Sequence, residues 1–464
     1  MSSMTGGPGP EQPDESGAPG ASADVTSLPD APMPTPAPKG PEPEVARQIA
    51  VLSVIAVGVG LLAGAGASAF VAVEHHLQRL LWDDLPEALG QDQAPAWLVV
   101  ALLVSGALIA YFGSRLPGHG GHSPLAGFGI DIGPREIGSV ILVGLGSLSF
   151  GAVLGPEAPL VAIGTAVGAA AVRDTGNPIR RIMMVVGAMS AIVAIFGNPL
   201  ITSVLMLEMA LAAGAAMATP VVLMPALAGM ASSYALQVGV ANWSGLGEST
   251  LGLPGLAAYP EVHLVDVAVA IPVAIVVALI TMAARIGGQQ VAKRAVRSPL
   301  TTILVVALAT AACALAVDAI TGGGLELVLF SGQSAMADYL ALTSLGTATV
   351  VLVGKFIAYS LALGSGFRGG PIFPAVALGT IVATAGTLLV DGTSTAALAA
   401  AGIAAATAAA LRMPFTALAM GVLLTYPAGG ATTVLAIVGT IVGLVTRLAG
   451  ERRTPALRTP VAHD

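Results

Sequence analysis

Apolar runs of bilayer-crossing length occupy most of this chain and leave it few ways to fold. They lie at about 48–73, 95–113, 137–172, 182–213, 217–240, 263–284, 300–319, 340–365, 370–390, 395–424 and 432–449. About 20 apolar residues are enough to cross the hydrocarbon core as a helix, so each run is a candidate span. Of the 464 residues, 55% are hydrophobic and 10% charged, whereas about a quarter are charged in a soluble domain. The expectation is an all-α polytopic protein of the cell membrane, surrounded by lipid. Several runs are too long, or too broken by Gly and Pro, to be one straight helix. They predict paired, tilted or half-crossing helices, whose irregular backbone must be buried in protein or line water.

The remaining segments divide the chain. Residues 1–44 are Pro, Gly, Ser, Ala and acidic residues with few large apolar side chains, too little to offset chain entropy, and are expected to be a disordered tail. They lack the basic start and apolar core of a secretory signal. Residues 241–262 are polar and rich in Gly and Pro, the best boundary between a first membrane repeat at 45–240 and a second at 263–450. The tail at 451–464 is too short for a regulatory cytoplasmic domain. Arg285, Lys293, Arg294 and Arg297 form one basic cluster, and Arg447, Arg452, Arg453 and Arg458 another. The positive-inside rule places both in the cytoplasm.

Composition also excludes some functions. The net charge of −7 gives no nucleic-acid footprint. Cys313, the single cysteine, reads as a small buried hydrophobe. His119 and His122 lie three apart in a Gly-rich loop without the ligand set of a metal site, so neither metal nor cofactor is expected. No nucleophile and base pair at membrane depth, so the chain is not expected to be an enzyme.

One stretch carries a charge where charge is costly. In Gly151-Ala152-Val153-Leu154-Gly155-Pro156-Glu157-Ala158-Pro159-Leu160, a carboxylate sits among glycines and prolines inside an apolar run. Such a group costs roughly 2.5–3.5 kcal/mol at membrane depth and usually faces a wet cavity, a partner or an ion path. Glu157 is therefore the first functional candidate. The stretch also has a copy. Gly155–Ala170 laid without gaps on Gly370–Ala385 matches at nine of sixteen positions, at an offset of 370 − 155 = 215. Asn198-Pro199-Leu200 and Met413-Pro414-Phe415 share that offset. Duplicated halves with Gly/Pro-interrupted apolar segments at matching places point to an ion or substrate site at the repeat interface of a transporter.

Three loops resemble the anion-site signatures of the CLC family of chloride channels and proton/chloride antiporters. Gly120-Gly121-His122-Ser123-Pro124 is similar to its GSGIP loop, Gly155-Pro156-Glu157-Ala158-Pro159 to its G(K/R)EGP loop, and Gly370-Pro371-Ile372-Phe373-Pro374 to its GxFxP loop. The likeness runs in order from about 48 to about 450 and includes the FGNPLITSVLMLE segment at 196–208. It implies two inverted-topology repeats, a gating glutamate at Glu157, anion contacts from Gly121, Ser123, Ile372 and Phe373, and a homodimer with one pathway per subunit. Physics supports an anion site separately, because helix N-termini present unpaired N–H groups and a positive dipole end.

Several positions depart from the family pattern. Gly121 stands at the chloride-contacting serine, with Ser123 two residues later. Pro371 has no N–H to give, so the amides of Ile372 and Phe373 would have to serve. Glu208 falls on the family's first acidic position, while Met209 stands where antiporters carry the inner proton-transfer glutamate; Glu208 is thus either an alternative proton donor or a structural cap. Tyr426 is the nearest candidate for the pore-facing tyrosine, or else an interfacial aromatic. Lys355 and Arg368 are cations in apolar context, for which snorkelling to the interface is the simpler reading. The expected function is transport of chloride or a similar small anion, channel-like or weakly coupled to protons. A proton/chloride antiporter is the alternative, as is an unrelated inverted-repeat transporter, which would require more polar spans than these.

Overall fold

The structure is a computed structural model that describes residues 43–127, 129–240, 252–253, 255–454 and 457. Residues 1–42 of the expected tail, 241–251 and 254 of the 241–262 linker, and 455–456 and 458–464 of the C-terminal tail, Arg458 among them, lie outside the described residues.

The described chain is helical. Helix α1 (Pro43–Arg79) continues through a π-helical turn at Leu80–Asp84 into α2 (Leu85–Ala88). Then come α3 (Ala96–Gly113), α4 (Ile137–Leu148), α5 (Glu157–Ala171), α6 (Pro178–Phe196), α7 (Pro199–Ala213) and α8 (Pro220–Val240). The second half holds α9 (Leu264–Arg297), α10 (Pro299–Thr321), α11 (Met336–Leu340), α12 (Leu345–Gly364), α13 (Ile372–Leu389), α14 (Thr395–Leu411), α15 (Pro414–Thr425) and α16 (Thr432–Arg453). Among the described residues, nine helical segments are long and apolar enough to cross a membrane. Shorter apolar helices such as α4, α5, α7, α14 and α15 come from the long runs that Gly and Pro interrupt. The run at 182–213, for instance, splits at Gly197, whose left-handed φ of 55° ends α6. Asn198 then accepts the Leu200 amide and Pro199 starts α7 at a position where no donor is missed. Large apolar side chains such as Val54, Leu264, Val296 and Ile320 face outward, as lipid contact requires.

The duplication extends to backbone geometry. Left-handed or open φ values recur 215 positions apart, in Gly151 (96°) and Gly366 (107°), Gly197 (55°) and Arg412 (63°), and Gly214 (111°) and Gly429 (117°). Close helix packing recurs at the same spacing. A Cβ on Gly164 of α5 would strike the carbonyl of Gly187 in α6, and one on Gly379 of α13 would strike that of Gly402 in α14. Small residues of this kind let membrane helices approach backbone to backbone. In the first half α1 packs on α6 and α8, and in the second α9 packs on α14 and α16.

Where the halves meet, equivalent residues pair with each other. Gly155 and Gly370 form an isolated antiparallel bridge, with N–H···O distances of 2.8 Å and 2.5 Å. An antiparallel pairing of equivalent positions puts a local two-fold axis between them, so the two repeats run in opposite senses, the inverted topology expected from the sequence.

Candidate functional site

The bridge sets two helix starts against each other deep in the protein. Just after Gly155, Pro156 turns the chain and α5 begins at Glu157; just after Gly370, Pro371 turns it and α13 begins at Ile372. Glu157 is 0% exposed. Its Oε1 accepts the amides of Ile372 (3.1 Å) and Phe373 (3.1 Å), while Oε2 has no partner. These two amides open α13, so they have no acceptor within their own helix and sit at its positive dipole end. Ile372 is the repeat equivalent of Glu157, which means the carboxylate crosses the two-fold axis to bind its own counterpart. A helix N-terminus is a ready anion site, and here a tethered carboxylate fills it.

Neighbours fix that position. A Cβ on Gly155 or on Gly370 would collide with the Glu157 carboxylate. Phe196, at the end of α6, lies against the Phe373 ring with centroids 5.9 Å apart. From α12, the Tyr359 hydroxyl donates to the Pro371 carbonyl at 2.9 Å. Proline's missing N–H costs the site nothing, since the next two amides supply the donors, as the sequence required.

The third loop is placed differently. Gly121 has φ 82°, and Ser123 is nearly buried with its hydroxyl accepting the Leu125 amide at 3.4 Å. Leu125 O in turn accepts Nη2 of Arg285 in α9 at 3.0 Å. Among the described residues no hydrogen bond joins this loop to Glu157. Direct contact thus unites Glu157, Ile372 and Phe373, while Gly121 and Ser123 belong to a loop tied to α9.

Glu208 accepts Phe415 N (2.9 Å), Thr416 N (2.7 Å) and Thr416 Oγ1 (2.6 Å). It caps the start of α15, the structural alternative weighed above, and all its bonds go to that helix. Tyr426 carried two readings, a pore-facing tyrosine or an interfacial aromatic. Its side chain is 69% exposed on a 3₁₀ turn after α15, which suits an interfacial aromatic. Snorkelling is corrected for Lys355, which is 0% exposed. Its Nζ donates to the carbonyls of Val328 (3.0 Å), Leu329 (2.9 Å) and Phe330 (3.1 Å), so it ties α12 to the segment before α11. Arg368 bonds Ser147 Oγ through its backbone amide and keeps a buried Nε without an acceptor. His122 does have a carboxylate beside it, Asp131 at 2.8 Å.

Two residues escaped the sequence reading. Glu74 in α1 is a buried second carboxylate: Oε1 accepts Gln78 Nε2 at 3.0 Å, Oε2 has no partner, and it lies within electrostatic range of Glu157. It sits just past the apolar run at 48–73, where the end of a span looks like the start of a loop. Tyr359 carries no motif. Only its place in the run leading into the Gly370 loop could have marked it.

Comparison with known proteins agrees with this architecture. The profile of the family described as "Voltage gated chloride channel" matches residues 101–446. The "Putative ion-transport protein YfeO" of Salmonella typhimurium (strain LT2) is 25% identical over 343 residues, covering 72% of this chain and 80% of the relative. The protein of the same name from Escherichia coli (strain SE11) is 26% identical, with coverages of 72% and 78%. Among solved structures, a slow cyanobacterial Cl⁻/H⁺ antiporter superposes with TM-score 0.70 at 21% identity, covering 86% of this chain and 94% of that one. A CLC-type fluoride/proton antiporter superposes with TM-score 0.63 at 18% identity, with coverages of 86% and 96%.

Proposed function

The chain belongs to the voltage gated chloride channel family, and from that premise we propose that it moves chloride or a similar small anion past a gate made by Glu157. The observation that carries this reading is the carboxylate seated on the Ile372 and Phe373 amides. Ionised, Glu157 competes with a permeating anion for these donors; protonated, or displaced by an anion, it releases them. Gly121 and Ser123, on the loop anchored to α9, would line the pathway further along. We place the working protein in the membrane as a homodimer with one pathway per subunit, a point that mass measurement in detergent would check.

Coupling to protons is proposed to be weak. Stoichiometric exchange needs a protonatable route from the gate to the inner solution, and carboxylates are the usual relays. Met209 cannot carry a proton, and all three bonds of Glu208 go to the start of α15. One observation favours a coupled antiporter instead: Glu74, buried, with a free oxygen and in range of Glu157. Purified protein in liposomes, with anion efflux and proton uptake recorded together, separates the readings. Anion efflux with little proton movement is expected. Robust uphill proton uptake that disappears in Glu74→Gln would replace the channel-like reading, and absence of any anion flux would remove both.

A further inference from the structure

We propose that a small cavity among α9, α12, α14 and α16 is a second anion site, built from Arg285 and Arg447, that holds a halide-sized monovalent anion beside the gate. Arg285 and Thr281 of α9, Tyr359 of α12, Arg447 of α16 and Pro371 line it. Its volume is about 10 Å³, room for one species near the size of a water molecule.

Charge makes the case for an anion. Arg447 is 2% exposed. Its Nε donates to Glu451 Oε1 at 2.7 Å and Nη2 to Leu457 O at 3.0 Å, but Nη1 is buried with no acceptor. Arg285 spends Nη2 on Leu125 O and keeps a buried Nε with no acceptor. Arg412 Nε shares the same Glu451 oxygen at 3.3 Å. Arg412, Arg447 and Glu451 all lie within electrostatic range of Arg285, so among the described residues two inward guanidinium groups and the half-exposed Arg412 gather around Glu451. Burying a cation without a counter-charge is strongly unfavourable. A small anion in the cavity would supply the charge and an acceptor for both orphaned N–H groups.

Position ties the cavity to the gate. Tyr359 donates to Pro371 O, the residue just before the amides that hold Glu157, and lies within electrostatic range of both Glu157 and Arg285. Both arginines belong to the basic clusters that the positive-inside rule places in the cytoplasm. An anion arriving from that side would dock on Arg285 and Arg447 before reaching Ile372. Binding at the cavity stands on its own geometry, whereas its role in transport rests on the proposed function.

The test is bromide anomalous diffraction on crystals of the full chain, with flux measured on the same proteins. A bromide peak between Arg285 and Arg447 is expected in the parent and is expected to vanish in Arg447→Gln. Ala410→Leu, which fills the cavity and removes no charge, should abolish it too and covers the chance that an arginine variant fails to fold. Both variants should raise the half-saturating anion concentration on the arginine side by at least roughly tenfold, the effect of losing a hydrogen bond to a charged group. A parent cavity holding only water at saturating bromide, or a peak that persists in Ala410→Leu, overturns the proposal. Bromide in the cavity of a protein that moves no anion keeps the site and removes the transport reading. Anion flux without bromide there does the reverse.

Discussion

Glu157 stays on the α13 amides because nothing larger than hydrogen occupies two neighbouring Cβ positions. Gly370→Ala would push a methyl group into its carboxylate. Overpacking of this kind costs roughly 1–3 kcal/mol; swinging the side chain off the amides relieves the contact with the carboxylate, while the contact with Glu157 Cβ needs a small backbone shift. The variant is expected to fold, to pass anions faster than the parent in liposomes, and to lose pH dependence; a folded variant with parental flux and pH profile would contradict the tethered-anion geometry. Glu157 was legible in the sequence because a lone carboxylate in an apolar run broken by Gly and Pro has few innocent explanations, whereas Ile372 and Phe373 were marked only by the resemblance of the Gly370 loop to the family's GxFxP signature. Tyr359 and Glu74 were not legible, and Arg285 was read only as a member of a cytoplasmic basic cluster. Their importance comes from partners far away in the chain, such as Leu125 for Arg285 and Pro371 for Tyr359, and no local pattern announces such contacts.

At the level of helices, the two halves repeat their packing as well as their turns. Gly164 and Gly379 each approach a partner carbonyl, so Gly164→Ala and Gly379→Ala should destabilise the protein alike, by about 1–3 kcal/mol each. Thermal melting in detergent measures this, and tolerance at one position but not the other would show that the copied sequence no longer has a copied structural role. Glu208 is a second helix-capping carboxylate, on α15. Glu208→Gln should cost about 1–2 kcal/mol of stability and leave the ratio of protons to anions unchanged; a lost proton flux in a stable variant would make Glu208 a relay. The broken helices were legible because Gly and Pro mark their ends, as at Gly197 and Pro199. How α5 and α13 are set against each other was legible only as a duplication, since the pairing of Gly155 with Gly370 is a contact between halves.

Across the whole molecule, an inverted duplication aims two helix N-termini at one axis, yet only one repeat carries a carboxylate there. Position 157 is Glu and its counterpart 372 is Ile, and this asymmetry seats a carboxylate of one repeat on the helix N-terminus of the other. The membrane class followed from the long apolar runs, and the family from the order of three loops. The inner arginine cavity did not, because its cations, Arg285 and Arg447, lie on α9 and α16 and meet only after folding. The decisive measurement is anion efflux from liposomes over a pH series, comparing the parent with Glu157→Gln. Since protonation frees the amides of α13, parental flux should rise as pH falls, and the variant should be faster at neutral pH and flat across the series. A correctly folded Glu157→Gln with no flux, or with the parent's pH dependence intact, would contradict the gate.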